Sequence, residues 1–166
     1  MKAGVALGSN LGDRLANLCA ARNEIGKLNS VSSPLLTSAV YETEPVGCEA
    51  GAAKFLNAVI EIEYAGDAPD LLHDLVEIET RLGRPASHAR NASRTLDLDL
   101  LYFGDMKIET PELQLPHPRI AEREFVLRPL ADIRPDLVLP KQTESMRDLL
   151  LRLPKGEAVV RIAAEW

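Results

Sequence analysis

The chain has 166 residues, is 46% hydrophobic and 27% charged, and carries a formal net charge of −6. That balance excludes a disordered or fibrous protein, and an acidic chain with a pI near 5.1 is not one that coats nucleic acid, whose phosphates demand a basic surface. No apolar run approaches a membrane span, and MKAGVALGSN lacks the apolar core of a signal peptide, so the expectation is a cytoplasmic protein with no membrane partner. Cys19 and Cys48 lie far apart and match no metal-ligand spacing. At this length the whole of 1–166 is expected to form a single domain.

Residues 2–7 form an apolar run that stops at GSNLGD and predict a first, internal strand. Asp13 or Asn10 suits the cap of the next helix, in which Leu15, Leu18, Cys19, Arg22, Ile25 and Leu28 fall at three-and-four spacing. LLTSAVYE, residues 35–42, predicts a second strand, and FLNAVIEIEY, Phe55–Tyr64, a third with two well-separated faces. A second helix follows, with Asp67 as its cap, Pro69 in its first turn, an inner face of Leu72, Leu75, Val76, Glu79 and Leu82, and Gly83 as its stop. After a strand around TLDLDLLYF, KIETPELQLP suggests a small hairpin extension to it. REFVLRPLADI predicts a helix interrupted at Pro129, SMRDLLLRL a short helix, and AVVRIAAEW a last strand or tail. The order strand–helix–strand–strand–helix–strand predicts an α+β fold with a ferredoxin-like βαββαβ core. Its sheet would be mostly antiparallel, with helices packed on one face.

The stretch SRTLDLDLLYFGD carries the strongest chemical signal. At a two-residue period Leu96, Leu98 and Leu100 share one face, and Asp97 and Asp99 share the other, roughly 7 Å apart. Such a pair fits either a hydrated strand face or a cation site. The leucine face anchors the strand in the core, and Arg94, Arg90 and Arg84 precede it, which suits Mg²⁺ bridging to a phosphate that the arginines also hold. Asn57 interrupts an apolar strand face beside Phe55. An amide next to a ring, with Phe125 as a second ring, would suit a flat heterocycle. TEPVG, residues 43–47, has the composition of an ordinary turn. In LPHPRIAEREF, residues 115–125, prolines would rigidify a loop that presents His117, Arg119 and Arg123. GSN lacks both the Walker lysine and the GxGxxG spacing of nucleotide-binding loops.

Taken together and in order, ALGSNLGDR, YETEPVG, FLNAV, SRTLDLDLLYFG and LPHPRIAEREFVLRPLADIRP resemble the 6-hydroxymethyl-7,8-dihydropterin pyrophosphokinase family over essentially the whole chain. The resemblance implies transfer of the terminal diphosphate of ATP to the hydroxymethyl group of the pterin, giving AMP, in folate biosynthesis. It implies two Mg²⁺ ions held by Asp97 and Asp99, which with Arg84 and Arg94 would be the catalytic residues. It also implies a pterin slot of Thr43, Pro45, Val46, Gly47, Phe55, Asn57 and Phe125. The nucleotide would meet Arg84, Arg94, His117 and Arg123, with Glu79 and Leu98 as lesser contacts, and the protein would act as a monomer. Many members carry Trp-Gly-Pro before the motif arginine, where this chain has Asn91, Ala92 and Ser93. Ala86 stands where a second loop arginine is expected, with Arg90 as a possible substitute, and the loop 84–93 is expected to close over ATP. Two other classes fit parts of the pattern: a non-catalytic nucleotide- or metal-binding module, and a phosphotransferase acting on a related heterocycle.

Overall fold

The computed structural model describes residues 1–45, 51, 53–83, 94–154, 156 and 158–166. Its elements are β1 (Lys2–Ser9), α1 (Arg14–Gly26), β2 (Val31–Thr37), β3 (Val40–Thr43), β4 (Phe55–Tyr64), α2 (Ala68–Arg81), β5 (Asp97–Phe103), β6 (Ile108–Glu109), β7 (Gln114–Leu115), a 3₁₀ turn (Ile120–Glu122), α3 (Glu124–Ile133), α4 (Met146–Arg152) and β8 (Val160–Ala163). The main sheet runs β5-β1-β4-β3-β8, with β2 beside the other half of β4. Every neighbouring pair in it is antiparallel. With α1 and α2 as crossovers this is the ferredoxin-like arrangement.

Apolar alternation drives the assembly. Val5 and Leu7 of β1, Leu56, Ile60 and Ile62 of β4, and Leu96, Leu98 and Leu100 around β5 turn to one face, where they meet Leu18 and Ile25 of α1 and Leu71, Leu75 and Ile78 of α2. Fully burying each such side chain is worth about 1.5–3 kcal/mol, so the leucine face of β5 is a strong anchor. The buried faces of both helices are rotated from the expected stripes. Ala21, not Cys19 or Arg22, joins Leu18 and Ile25, while Leu15 is exposed. On α2 the buried face is Ala68, Leu71, Leu75, Ile78 and Glu79, and Val76 is exposed. Asp13 caps α1 by accepting from the Ala16 N–H, and Asp67 caps α2 by accepting from the Asp70 N–H.

Helices cover both faces of the sheet, not one. Val126, Leu127 and Leu130 of α3 and Met146 and Leu149 of α4 pack with Val59, Leu101 and Tyr102 on the second face. β5 contributes to both cores, and a bulge breaks its alternation so that two successive side chains reach the second one. Leu100 pairs with Val5 and Tyr102 with Gly4, leaving Leu101 as the extra residue, so Leu101 and Tyr102 point the same way. α3 continues through Pro129 without interruption. The ring removes only the bond to the Phe125 carbonyl, one turn into the helix, and burial of its apolar face offsets that loss. The expected second strand is two strands, parted at Ser38 and Ala39, and β6 and β7 pair with each other in a sheet of their own.

Three further features lock the frame. The Tyr102 hydroxyl donates to buried Glu61 at 2.6 Å, and Arg134 Nε lies 3.0 Å from the same carboxylate. Gly4 permits this, since a Cβ there would stand 2.2 Å from Tyr102 Cε1. At the far edge β8 pairs with β3, and Trp166 donates its indole N–H to the Ser38 carbonyl at 2.8 Å, with the Arg22 guanidinium 5.0 Å from the ring centre. Among the described residues no helix is long and apolar enough to cross a membrane.

Candidate active site

Strand register builds the site. On the second face Asn57 of β4, Gly8 of β1 and Asp97 of β5 stand in one row, and Val59, Ala6 and Asp99 in the next. The outer strands thus carry the functional side chains, while the middle strand offers only a hydrogen and a methyl. Ala6, Gly8, Asn57, Asp97, Asp99 and Phe125 line a cavity there, with α3 beginning as its wall. A second cleft of about 230 Å³ lies on the other side of Asp99, lined by Leu72, Leu98, Leu100, Leu113 and His117 among others. Asp99 borders both.

The aspartates are held in a basic frame. Arg94 Nη1 lies 2.7 Å from Asp97 Oδ1, and Arg123 Nη1 lies 3.8 Å from Asp99 Oδ2. Burial raises the Asp99 pKa above its ordinary value and the Asp97 charge adds to this, against the pull of His117, Arg123 and Arg94. Burial likewise lowers the His117 pKa, opposed by the Asp99 carboxylate. The Arg123 guanidinium also lies 5.5 Å from the centre of the Phe125 ring, linking the phosphate-side and ring-side candidates.

Asn57 is 7% exposed and Thr43 8%. The Asn57 Nδ2 donates to Thr43 Oγ1 at 2.8 Å. This satisfies the buried amide and fixes its orientation, leaving Oδ1 on the Gly8 side, 3.5 Å from where a Gly8 Cβ would be. Thr43 ends β3 opposite Phe55, the first residue of β4, so these candidates share one strand pair. Pro45 follows Thr43 after one residue, Glu44. Val46, Gly47, Arg84 and the rest of the loop 84–93 lie outside the described residues.

GSN, which matches no phosphate loop, clamps the entry to β5. The Ser9 hydroxyl donates to the Thr95 carbonyl at 2.6 Å, the Arg94 N–H to Asn10 Oδ1 at 2.7 Å, and the Asn10 N–H to the Arg94 carbonyl at 3.1 Å. Asn17 of α1 adds a bond to the Thr95 carbonyl at 3.1 Å. His117 supports the strand further along, its N–H donating to the Leu101 carbonyl at 2.8 Å. Glu79 and Leu98, both nucleotide candidates, meet each other: the Leu98 N–H donates to Glu79 Oε1 at 2.7 Å. The residues missed in the sequence are Ala6 and Gly8 as floor, Leu72 in the second cleft, and Ser9, Asn10 and Asn17 as clamp. The floor had a signal, because Gly4, Ala6 and Gly8 alternate with Val5 and Leu7.

Among the described residues no three His, Cys, Asp or Glu side chains converge as a metal cage. Two carboxylates between two clefts, rimmed by arginines, are the equipment of a phosphoryl-transfer enzyme, in which positioning and charge neutralisation matter most. Residues 4–135 match the profile of the 7,8-dihydro-6-hydroxymethylpterin-pyrophosphokinase (HPPK) family, and the chain belongs to that family. A 2-amino-4-hydroxy-6-hydroxymethyldihydropteridine pyrophosphokinase of Bacillus subtilis (strain 168) is 44% identical over 131 residues, covering 78% of this chain and 75% of that one. An enzyme with the same name from Porphyromonas gingivalis is 39% identical over 138 residues, covering 79% of this chain and 89% of its own. Among solved structures, wild-type Plasmodium falciparum HPPK-DHPS with pteroate superposes with a TM-score of 0.72 at 14% identity, over 91% of this chain and 42% of that one. At that identity the likeness speaks for the fold alone. As a family member the protein is an ATP-dependent pyrophosphokinase of folate biosynthesis, which moves the pyrophosphoryl group of ATP to hydroxymethyldihydropterin.

Proposed function

We propose that the two clefts take the two substrates and that diphosphate passes between them across Asp97 and Asp99. The observation that carries this is that Asp99 lines both cavities. The pterin would lie on Gly8 and Ala6, its edge read by Asn57, its faces flanked by Phe55 and Phe125, with Thr43, Pro45, Val46 and Gly47 closing the slot. ATP would occupy the cleft of Leu72 and His117, with Arg84, Arg94 and Arg123 on its phosphates and Glu79 and Leu98 at its border. The hydroxymethyl oxygen bonds to the β-phosphorus as the bond from that phosphorus to the oxygen that leaves with AMP breaks, and the hydroxyl proton passes to solvent water. The arginines stabilise charge as it shifts toward the leaving oxygen.

Asp97 and Asp99 fit Mg²⁺, two ions in this reading. Two carboxylates on one strand face repel, Asp99 is pushed toward its neutral form by burial and by Asp97, and a dication relieves both effects. Mg²⁺ keeps most of its waters and takes one or two protein carboxylates, so a larger cage is not needed. When bound it neutralises phosphate charge and polarises the reacting phosphorus. The chain is taken to act as one domain, as a monomer, in the cytoplasm; sedimentation at working concentration tests the monomer.

The deciding experiment incubates the purified chain with Mg-ATP and 6-hydroxymethyl-7,8-dihydropterin and separates the nucleotides. AMP in step with pterin diphosphate is expected, and ADP would overturn the mode of transfer. Asp97→Ala should keep its fold and lose turnover. Near-normal turnover in that variant would refute the metal assignment.

A further inference from the structure

Among the described residues β5 is the end strand of its sheet and pairs only with β1. Asp97 and Asp99 sit opposite Gly8 and Ala6. Leu98, between them, turns its N–H away from β1, to the edge where no described strand lies. α2 places a carboxylate there, Glu79 Oε1 at 2.7 Å from the Leu98 nitrogen. Glu79 is only 4% exposed and belongs to the otherwise apolar face of Ala68, Leu71, Leu75 and Ile78.

Packing alone does not ask for this residue. Leucine would continue the apolar face, and a buried carboxylate is costly unless its bonds repay desolvation. The position is also in the last turn of α2, where the helix dipole disfavours an anion. What glutamate offers is a charge-assisted acceptor, stronger than a neutral one, delivered to the Asp97–Leu98 peptide, between the two aspartate side chains.

We infer that Glu79 is a positioning residue for the metal-binding pair: by gripping the Leu98 N–H from the edge while β1 holds the other side, it fixes the spacing and shared orientation of Asp97 and Asp99. This rests on the proposed Mg²⁺ role of the aspartates. Glu79 acts on the ion through the backbone, as partners behind metal ligands do. Losing such a partner typically weakens metal binding about 10–100-fold.

The test compares Glu79→Gln, which keeps an acceptor oxygen, with Glu79→Leu, which fills the space without one. The probe is Mn²⁺ with a non-hydrolysable ATP analogue, bound to the full chain and followed by electron paramagnetic resonance, beside circular dichroism melts and steady-state kinetics. Glu79→Leu should bind Mn²⁺ in the complex at least tenfold more weakly. Its kcat should fall by a similar factor, with KM for the pterin within twofold. Glu79→Gln should recover most of the Mn²⁺ affinity that Glu79→Leu loses. Wild-type Mn²⁺ affinity in folded Glu79→Leu would overturn the inference, as would equal damage in both variants. Should Glu79→Leu fail to fold, Glu79→Asp withdraws the carboxylate by one methylene and must show the same weakening. Failure of the underlying metal reading would look different: wild type itself would bind no Mn²⁺, or Asp97→Ala would bind it normally.

Discussion

Adding one methyl to the floor of the site should separate stability from activity. A Cβ at Gly8 would stand 3.5 Å from Asn57 Oδ1, 3.8 Å from Asp97 Cβ and 3.9 Å from Phe55 Cδ1. These are ordinary contacts, so Gly8→Ala needs no backbone shift. It removes freedom from the unfolded chain and should stabilise by about 0.4–1 kcal/mol. For a domain of this size that raises Tm by about 1–4 °C. In the cavity the same methyl stands between Asn57 and Asp97, where the heterocycle is proposed to rest. Overfilling a close-fitting site by one methyl costs about 1–3 kcal/mol, which is about 5- to 150-fold in binding. Thermal melts and initial rates at saturating ATP should therefore give a variant that is more stable but has a much higher KM for the pterin. An unchanged KM in the stable variant would show that the ring does not lie on this floor. A large loss of stability would show that the row geometry is wrong.

The same substitution four residues away should behave in the opposite way. Gly4→Ala drives a methyl to 2.2 Å from Tyr102 Cε1, so urea denaturation should show a loss of about 1–3 kcal/mol with little change in rate per folded molecule. Thr43→Val leaves the buried Asn57 amide without its 2.8 Å acceptor. It should cost about 1–3 kcal/mol and raise KM for the pterin more than for ATP, with Thr43→Ser restoring both. The three tyrosines each donate to a carboxylate: Tyr41 to Asp132, Tyr64 to Asp74 and Tyr102 to Glu61. Burial first, then these carboxylates, push Tyr41 and Tyr64 up to about 12 and Tyr102 in the same direction. Because the folded pKa lies above the unfolded value of about 10, this stability is fully present below pH ~10 and lost as pH rises toward 12. Absorbance at 295 nm and circular dichroism should therefore change together above pH ~10. Smooth ionisation centred near 10 with an intact fold would refute it.

Local chemistry was legible where it follows one period or one cap. β4 runs from Phe55 to Tyr64 as its alternation predicts, Asp67 caps α2, and Asp97 and Asp99 share a face opposite three leucines. What escaped depends on partners distant in sequence. The α1 stripe shifted to Ala21 because burial follows the sheet it meets rather than the most hydrophobic spacing. The Leu101 bulge has no glycine or proline to announce it, yet it turns Tyr102 to the second core beside Leu101. Asn57 was visible as an anomaly on an apolar strand, whereas its partner Thr43 became visible only through strand register. Gly8 was seen as part of a loop motif, and its use as floor depends on the neighbours that strand pairing gives it.

The seat of Trp166 determines which optical experiments suit this protein. It is the single tryptophan of the sequence, and its indole rests on the Ser38 carbonyl under Arg22, beside the β3–β8 edge. Its fluorescence is therefore an intrinsic gauge of whether the C-terminal strand is docked. Quenching or a red shift at low denaturant, before the bulk ellipticity changes, would report that edge peeling away first. Substrate titrations call for a different dye, since this one is placed to watch the hem of the sheet.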